Sequence, residues 1–198
     1  FLDADGHALP IGTVLRNPAL AATLRRVARD GADAFYSGPI ARAIVDAVRD
    51  HPSNPGRLTL EDLAGYRPRE RVPVCGDYRG LRICGMPPPS SGGVAVLQTL
   101  GILERFGAHA LAPDSADAIH VTTEAYRLAF ADRARYLADD DFVPVPVTGL
   151  LDPAYLAARA ATIGTERSLG TAPPGTPLGA TAFGDDASAA LPSTSHLS

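Results

Sequence analysis

The sequence predicts a mixed α/β chain of the α+β kind, mostly helices with one β-hairpin, and three observations carry that expectation. Capping residues stand ahead of apolar stretches with helical spacing at Asn17-Pro18, Thr59 and Asp152-Pro153. Between 69 and 86 the texture changes to two short β-prone runs, RVPVCGDY and LRICGM, divided by Arg79-Gly80. Hydrophobic residues make up 45% and charged residues 20% of the 198, a globular profile with enough apolar content to bury a core.

The elements follow in order. Asn17 precedes a proline at the first helical position; Leu20, Leu24, Val27 and Ala28 then recur at helical spacing, and Gly31 ends the segment. FYSGPIA (35–41) is a tight junction into a second helix from Pro39, with Ile40, Ala43, Ile44 and Ala47 on one face. Thr59 and Asp62 form a capping-box pattern for a short helix ending near Gly65. After the hairpin, MPPPSSGG (86–93) places three prolines in an extended approach, two serines where a helix cap belongs, and two glycines where backbone passes close to a neighbour. A largely buried helix to about Phe106 is expected next. A longer one follows from Ser115 to about Leu137, with Ile119, Tyr126, Ala129, Phe130 and Leu137 inward. Asp152-Pro153 caps a last helix to about Ile163. Residues 164–192, rich in Gly, Ala, Thr and Pro and nearly aperiodic, read as a mobile surface segment.

Several function classes are disfavoured. Net charge is −4, all 18 positive charges are Arg, and no basic stripe interleaves with aromatics, so a nucleic-acid partner is not expected. No apolar run approaches the ~18 residues of a membrane span. The five His, at 7, 51, 109, 120 and 196, lack metal-ligand spacing. Asp139, Asp140 and Asp141 lack the alternating oxygens and the Gly of a calcium loop and read as a solvated helix end. The carboxylates and Arg of ADRAR (131–135) are either surface charge or a buried ion pair holding the long helix. Cys75 and Cys84 are equidistant from the Arg79-Gly80 turn; a cross-strand disulfide is open to them, with two unbonded small hydrophobes slightly preferred. Phe1 opens the chain without a Met or a signal peptide, so the chain reads as an internal piece, with any export signal upstream.

One feature suggests chemistry. The aperiodic segment runs straight into Ser193-Thr194-Ser195-His196-Leu197-Ser198. A hydroxyl is a weak nucleophile until a base removes its proton. Cleavage just before such a residue makes its own α-amine that base, with a reference pKa of ~7.7–8.0 suited to neutral pH. On chemistry alone, Thr194 and Ser195 beginning a β-strand is the favoured account.

A resemblance changes that weighting. FYSGPIA, LTLEDLAGY (58–66), GDYRG (76–80), MPPPSSGG, EAYRLAFADRARYL (124–137), DFVPVPV (141–147) and STSHLS (193–198) stand in the order seen in γ-glutamyltransferase precursors. Together they cover nearly the whole chain, which resembles the stretch from late in the large subunit to just past the processing site. The resemblance implies part of a four-layer αββα N-terminal-nucleophile sandwich, of which this piece supplies outer helices and a hairpin. Residues 1–163 would be the helical and hairpin part, 164–193 a flexible pre-cleavage linker, and 194–198 the start of the small subunit. It also implies that Thr194 is the nucleophile, freed by autocatalytic cleavage between Ser193 and Thr194, with His196 and Ser198 in the other places of the T-x-H-x-S motif.

Ser195, His196, Ser90 and Ser91 would shape the site, with His196 a structural neighbour rather than a base. The implied substrates are γ-glutamyl amides such as glutathione, resolved by water or an amino-acid or peptide acceptor, with no metal or organic cofactor. The implied partner is the remainder of the precursor, and the implied location is periplasmic or extracellular. Oxyanion-hole glycines and most glutamyl-binding groups would lie outside this chain, which alone is expected to be inert. Related acylases of the same fold (cephalosporin or glutaryl acylases, poly-γ-glutamate hydrolases, oxamate amidohydrolases) are the alternatives, as is a non-catalytic interaction module.

Overall fold

A computed structural model of the chain describes residues 2–107 and 112–180. The chain divides after Arg69 into two compact units.

The first unit holds α1 (Pro18–Asp30), α2 (Asp33–Tyr36), α3 (Gly38–Arg49) and α4 (Leu60–Gly65). Each boundary has a local cause. Asn17 Oδ1 accepts from Leu20 N at 2.9 Å, and Pro18 opens α1 where no amide donor is needed. Gly31, at φ 78°, ends it in a backbone region that side chains disfavour. Thr59 Oγ1 accepts from Asp62 N at 3.1 Å while the Asp62 carboxylate accepts from Thr59 N at 2.9 Å, which completes the capping box of α4. Those bonds hold the Asp62 carboxyl below the usual carboxylate range. Tyr36 stacks on Tyr66, ring centroids 5.5 Å apart, and so joins FYSGPIA to the end of α4. On α3 the fully buried residues are Ala41 and Val45, whereas Ile40, Ala43, Ile44 and Ala47 line an open groove of about 630 Å³ shared with Ala22 and Thr23 of α1.

The second unit begins with β1 (Val74–Tyr78) and β2 (Leu81–Gly85), paired antiparallel about Arg79-Gly80. Both turn residues have positive φ, 49° and 79°, as a two-residue turn matching strand twist requires. Cys75 faces Cys84 in this register with Cα atoms 4.1 Å apart, the close spacing of a non-hydrogen-bonded pair, and the two are joined by a disulfide. The preference for unbonded thiols was therefore wrong: the close cross-strand spacing brings the two sulfurs together.

Four helices follow: α5 (Gly92–Leu103), α6 (Ala116–Tyr136), α7 (Val147–Leu150) and α8 (Pro153–Ala160). Helix α5 is buried on most sides, as expected, and lies against the hairpin, α6 and α8. It reaches the hairpin through glycine: a Cβ on Gly85 would stand 2.7 Å from the Cα of Gly93, so strand and helix touch backbone to backbone. Ile102 and Leu103 of α5, Val121, Ala125 and Leu128 of α6, Leu156 and Ala160 of α8, and Ile163 form one core cluster; Val94, Tyr136 and Leu150 form a second. Asp152 caps α8 by accepting from Ala154 N and Tyr155 N, and the helix stops at Ala160 rather than near Ile163.

Helix α6 corrects the sequence reading. Ile119, Tyr126 and Phe130 were expected inward but are 64%, 49% and 52% exposed. The inward face is Val121, Glu124, Ala125, Leu128, Ala129, Asp132 and Tyr136. Two carboxylates on that face break its apolar pattern, so the hydrophobic periodicity pointed to a neighbouring face. Residues 164–180 carry no helix or strand. Among the described residues the fold is thus the expected mixed α+β assembly of helices and a two-stranded sheet, and none of its helices is long and apolar enough to cross a membrane.

Candidate functional site

Ser90 and Ser91 lie at the start of α5, where the MPPPSSGG run delivers them. Ser91 occupies the N-cap position, yet its side chain makes no capping bond. Its Oγ instead accepts from Arg133 Nε of α6 at 2.8 Å, while Ser90 Oγ accepts from Gly92 N at 3.4 Å. The expected cap is thus replaced by a cross-helix bond. Ser193, Thr194, Ser195 and His196, and with them the expected cut between Ser193 and Thr194, lie outside the described residues.

Among the described residues, side chains of α6 and α8 hold the irregular segment 168–175. Glu124 and Asp132 are each 1% exposed and stand on the same face of α6. Glu124 Oε1 accepts from Ser168 Oγ at 2.7 Å and lies 3.3 Å from Arg127 Nε, while Oε2 accepts from Leu169 N at 2.9 Å. Asp132 Oδ1 accepts from Gly175 N at 2.7 Å and pairs with Arg159 at 3.1 Å; Oδ2 accepts from Tyr155 OH at 2.7 Å and Gln98 Nε2 at 3.0 Å. The carbonyls of the same segment are also taken up, Gly170 O by Arg127, Pro173 O by Arg159 and Gly175 O by Tyr136 OH. Irregular backbone is tolerated here because its donors and acceptors find partners on the helices.

Electrostatics fit anchoring rather than proton transfer. Burial works against ionisation of Glu124, but the bonds from Ser168 and Leu169 N and the nearby charges of Arg127 and His120 outweigh it, so its carboxyl titrates below the usual range. Burial, then the bond to Asp132, pushes the Tyr155 phenol far above its ordinary value, which keeps it a hydrogen-bond donor. Gln98 Oε1 and Arg159 Nε are buried without a hydrogen-bond partner among the described residues.

ADRAR does contribute a buried ion pair through Asp132, but the partner is Arg159 of α8. Asp139, Asp140 and Asp141 are not a freely solvated helix end. Arg71 bonds Asp140 and Asp141 at 2.8 Å each and approaches Asp139 at 3.9 Å, tying the approach to β1 to the segment after α6. Among the described residues, two groups of side chains could bring three ligating atoms together, this one and Asp3, Asp5 and His7. The latter is exposed and folded about its own turn, Asp3 accepting from the amides of residues 5 and 7. The sequence reading missed Glu124, Gln98, Tyr155 and Arg159 as an ensemble. The available signal was a charged residue at 124 interrupting the spacing Val121, Ala125, Leu128, with a second at 132, two turns further on.

Comparison with known proteins follows the same outline. A sequence model described as Gamma-glutamyltranspeptidase matches residues 1–198. A glutathione hydrolase proenzyme of Escherichia coli is 44% identical over 151 residues, 76% of this chain and 26% of that protein. An Acylase ACY 1 proenzyme of Pseudomonas sp. is 44% identical over 163 residues, 82% of this chain and 29% of that protein. The crystal structure of Helicobacter pylori γ-glutamyltranspeptidase superposes with a TM-score of 0.70 at 37% identity, over 86% of this chain and 48% of the other. The chain spans less than a third of the length of these curated relatives. With a family match along its whole length, and helices and hairpin that superpose on a solved member, the chain belongs to the γ-glutamyltranspeptidase family.

Proposed function

We propose that this chain is the part of an N-terminal-nucleophile amidohydrolase precursor that leads into its cleavage site, and that Thr194 is the nucleophile. The observation that carries the reading is the family match through residue 198, which takes in the T-x-H-x-S sequence of 194–198. In the precursor the Thr194 hydroxyl adds to the Ser193 carbonyl, the peptide nitrogen leaves, and water hydrolyses the resulting ester. In the cut enzyme the freed α-amine takes the hydroxyl proton as the oxygen attacks a γ-glutamyl amide such as glutathione. The amine of the substrate departs with that proton, and water or an acceptor amine releases the acyl group. The partner is the rest of the same precursor. Ser195, His196, Ser90 and Ser91 shape the surroundings of the nucleophile, and no metal or organic cofactor takes part.

The acylase relative, as similar as the hydrolase one, supports a second reading in which the same nucleophile removes a different acyl group. The Cys75–Cys84 disulfide supports a periplasmic or extracellular location, since such bonds persist in oxidising compartments. Within the proposed pre-cleavage linker, 164–193, residues 168–175 are bonded to α6 and α8.

Intact-mass measurement on the full-length protein tests the reading. The expected result is a new chain beginning at Thr194, lost in Thr194→Ala, with turnover of γ-glutamyl-p-nitroanilide lost alongside it. Full turnover by an uncut Thr194→Ala protein would overturn it.

A further inference from the structure

The bonds that Glu124 and Asp132 make reach past packing. Each accepts a backbone N–H of the irregular segment, Leu169 N at 2.9 Å and Gly175 N at 2.7 Å, and so holds the path of the chain, Glu124 with a further bond from the Ser168 hydroxyl. Arg127, Arg159 and Tyr136 grip the carbonyls of Gly170, Pro173 and Gly175 from the same helices. Both kinds of backbone group are therefore fixed over 168–175, and at 1% exposure the two carboxylates meet no competing water. Apolar side chains at 124 and 132 would fill the core without the desolvation cost of two buried charges.

We propose that Glu124 and Asp132 are positioning residues for chain cleavage. Two turns apart on α6, they clasp residues 168–175 and so set where the stretch leading to Ser193-Thr194 departs from the helices. This rests on the reading of Thr194 above. The clasp shortens the tether. Nineteen positions separate Gly175, the last clasped residue, from Thr194, against thirty-one from Ile163, the last core residue before the segment. Closure of a tether falls off as roughly the three-halves power of its length, so opening the clasp lowers the chance of productive placement by about twofold. Loss of direction adds to that.

The test uses the full-length precursor and leaves both buried carboxylates in place. Ser168→Ala combined with Arg127→Met and Tyr136→Phe removes donors from both arms of the clasp, the first two at positions open to solvent and the third from Gly175 O; Ser168→Thr keeps the hydroxyl. Three quantities are read: the rate at which uncut chain disappears, turnover per cut molecule once processing is complete, and amide exchange of 168–175 in the Thr194→Ala background. The expected result is cleavage slowed about twofold or more, faster exchange across 168–175, and turnover per cut molecule equal to the parent's. Ser168→Thr should cleave at the parental rate. Parental cleavage rates with exchange raised would overturn the proposal, as would unchanged exchange, or turnover falling in step with cleavage. A parent never cut before Thr194 would instead remove the reading of Thr194, while the exchange measurement would still report on the clasp.

Discussion

Replacing Asp132 separates the cost of a stranded charge from the cost of orphaned donors. In Asp132→Asn the amide oxygen takes the place of Oδ1 and still accepts from Gly175 N and Arg159. The NH2 group then faces Tyr155 OH, which rotates to accept, and Gln98, which flips to offer its otherwise unpartnered Oε1. The contacts at position 132 are thus kept, but the Tyr155 hydrogen and the Gln98 amide donors lose their acceptor, and Arg159, 7% exposed, is left without its counter-charge. Breaking a buried pair costs about 3–5 kcal/mol. Because Arg159 keeps the carbonyls of Leu128 and Pro173, a value near the lower end, about 3 kcal/mol, is expected. Asp132→Ala leaves Tyr155, Gln98 and Gly175 with no partner at position 132, at about 1–3 kcal/mol each, a total comparable with the stability of a typical domain. Removing the charge as well, in Asp132→Asn with Arg159→Met, should recover about 2 kcal/mol as a coupling energy in the double-mutant cycle. Because the chain forms two units, a single unfolding midpoint is not a clean measure; hydrogen exchange of α6 and α8 amides in the full-length protein reads the opening energy locally. An Asp132→Ala variant no worse than Asp132→Asn, or a coupling below about 0.5 kcal/mol, would refute this account.

Two further outcomes follow from the same contacts. Reducing the Cys75–Cys84 bond, which closes a loop of sequence separation 9 and has Cys84 on the exposed side, should cost about 2.5 kcal/mol. Amide exchange across β1 and β2 with and without dithiothreitol checks it, and equal protection in both would count against a stabilising role. Glu124 titrates lower in the folded chain than in the unfolded one, so between those two values the unfolded state binds more protons. Its contribution is therefore complete above the unfolded value near 4.5 and is lost as pH falls through the folded value. The stability gap between parent and Glu124→Gln should accordingly be constant at neutral pH and shrink in acid; a gap independent of pH down to about 3 would contradict the assignment.

Local signals in the sequence were faithful guides. Asn17-Pro18, Thr59 with Asp62, Asp152-Pro153 and Arg79-Gly80 act through atoms within a few residues of themselves, so the elements they delimit could be read from the sequence. The inward face of α6 could not, because most partners that make Glu124 and Asp132 tolerable inside lie 23–45 residues away. The anchoring of 168–175 was equally hidden, since its donors at Leu169 and Gly175 are main-chain amides that no residue type announces. Cys75 and Cys84 were placed opposite each other correctly, but spacing alone could not say whether their sulfurs were joined. The candidacy of Thr194 came from the ordered set of family motifs and not from the Ser/Thr run itself, which on its own is equally a strand start.

The contact of Gly85 with Gly93 carries a constraint of its own. Cores usually absorb a larger residue by shrinking the one opposite, so that the sum of the two volumes is kept. Here both members are already the smallest residue available, and a methyl group on Gly93 would run into Val74 Cγ1 at 2.7 Å as well as the Gly85 carbonyl carbon at 2.9 Å. No compensating exchange is open at this crossing, so the distance between β2 and α5 is set by two bare backbones and is free to change only by the strand leaving the helix.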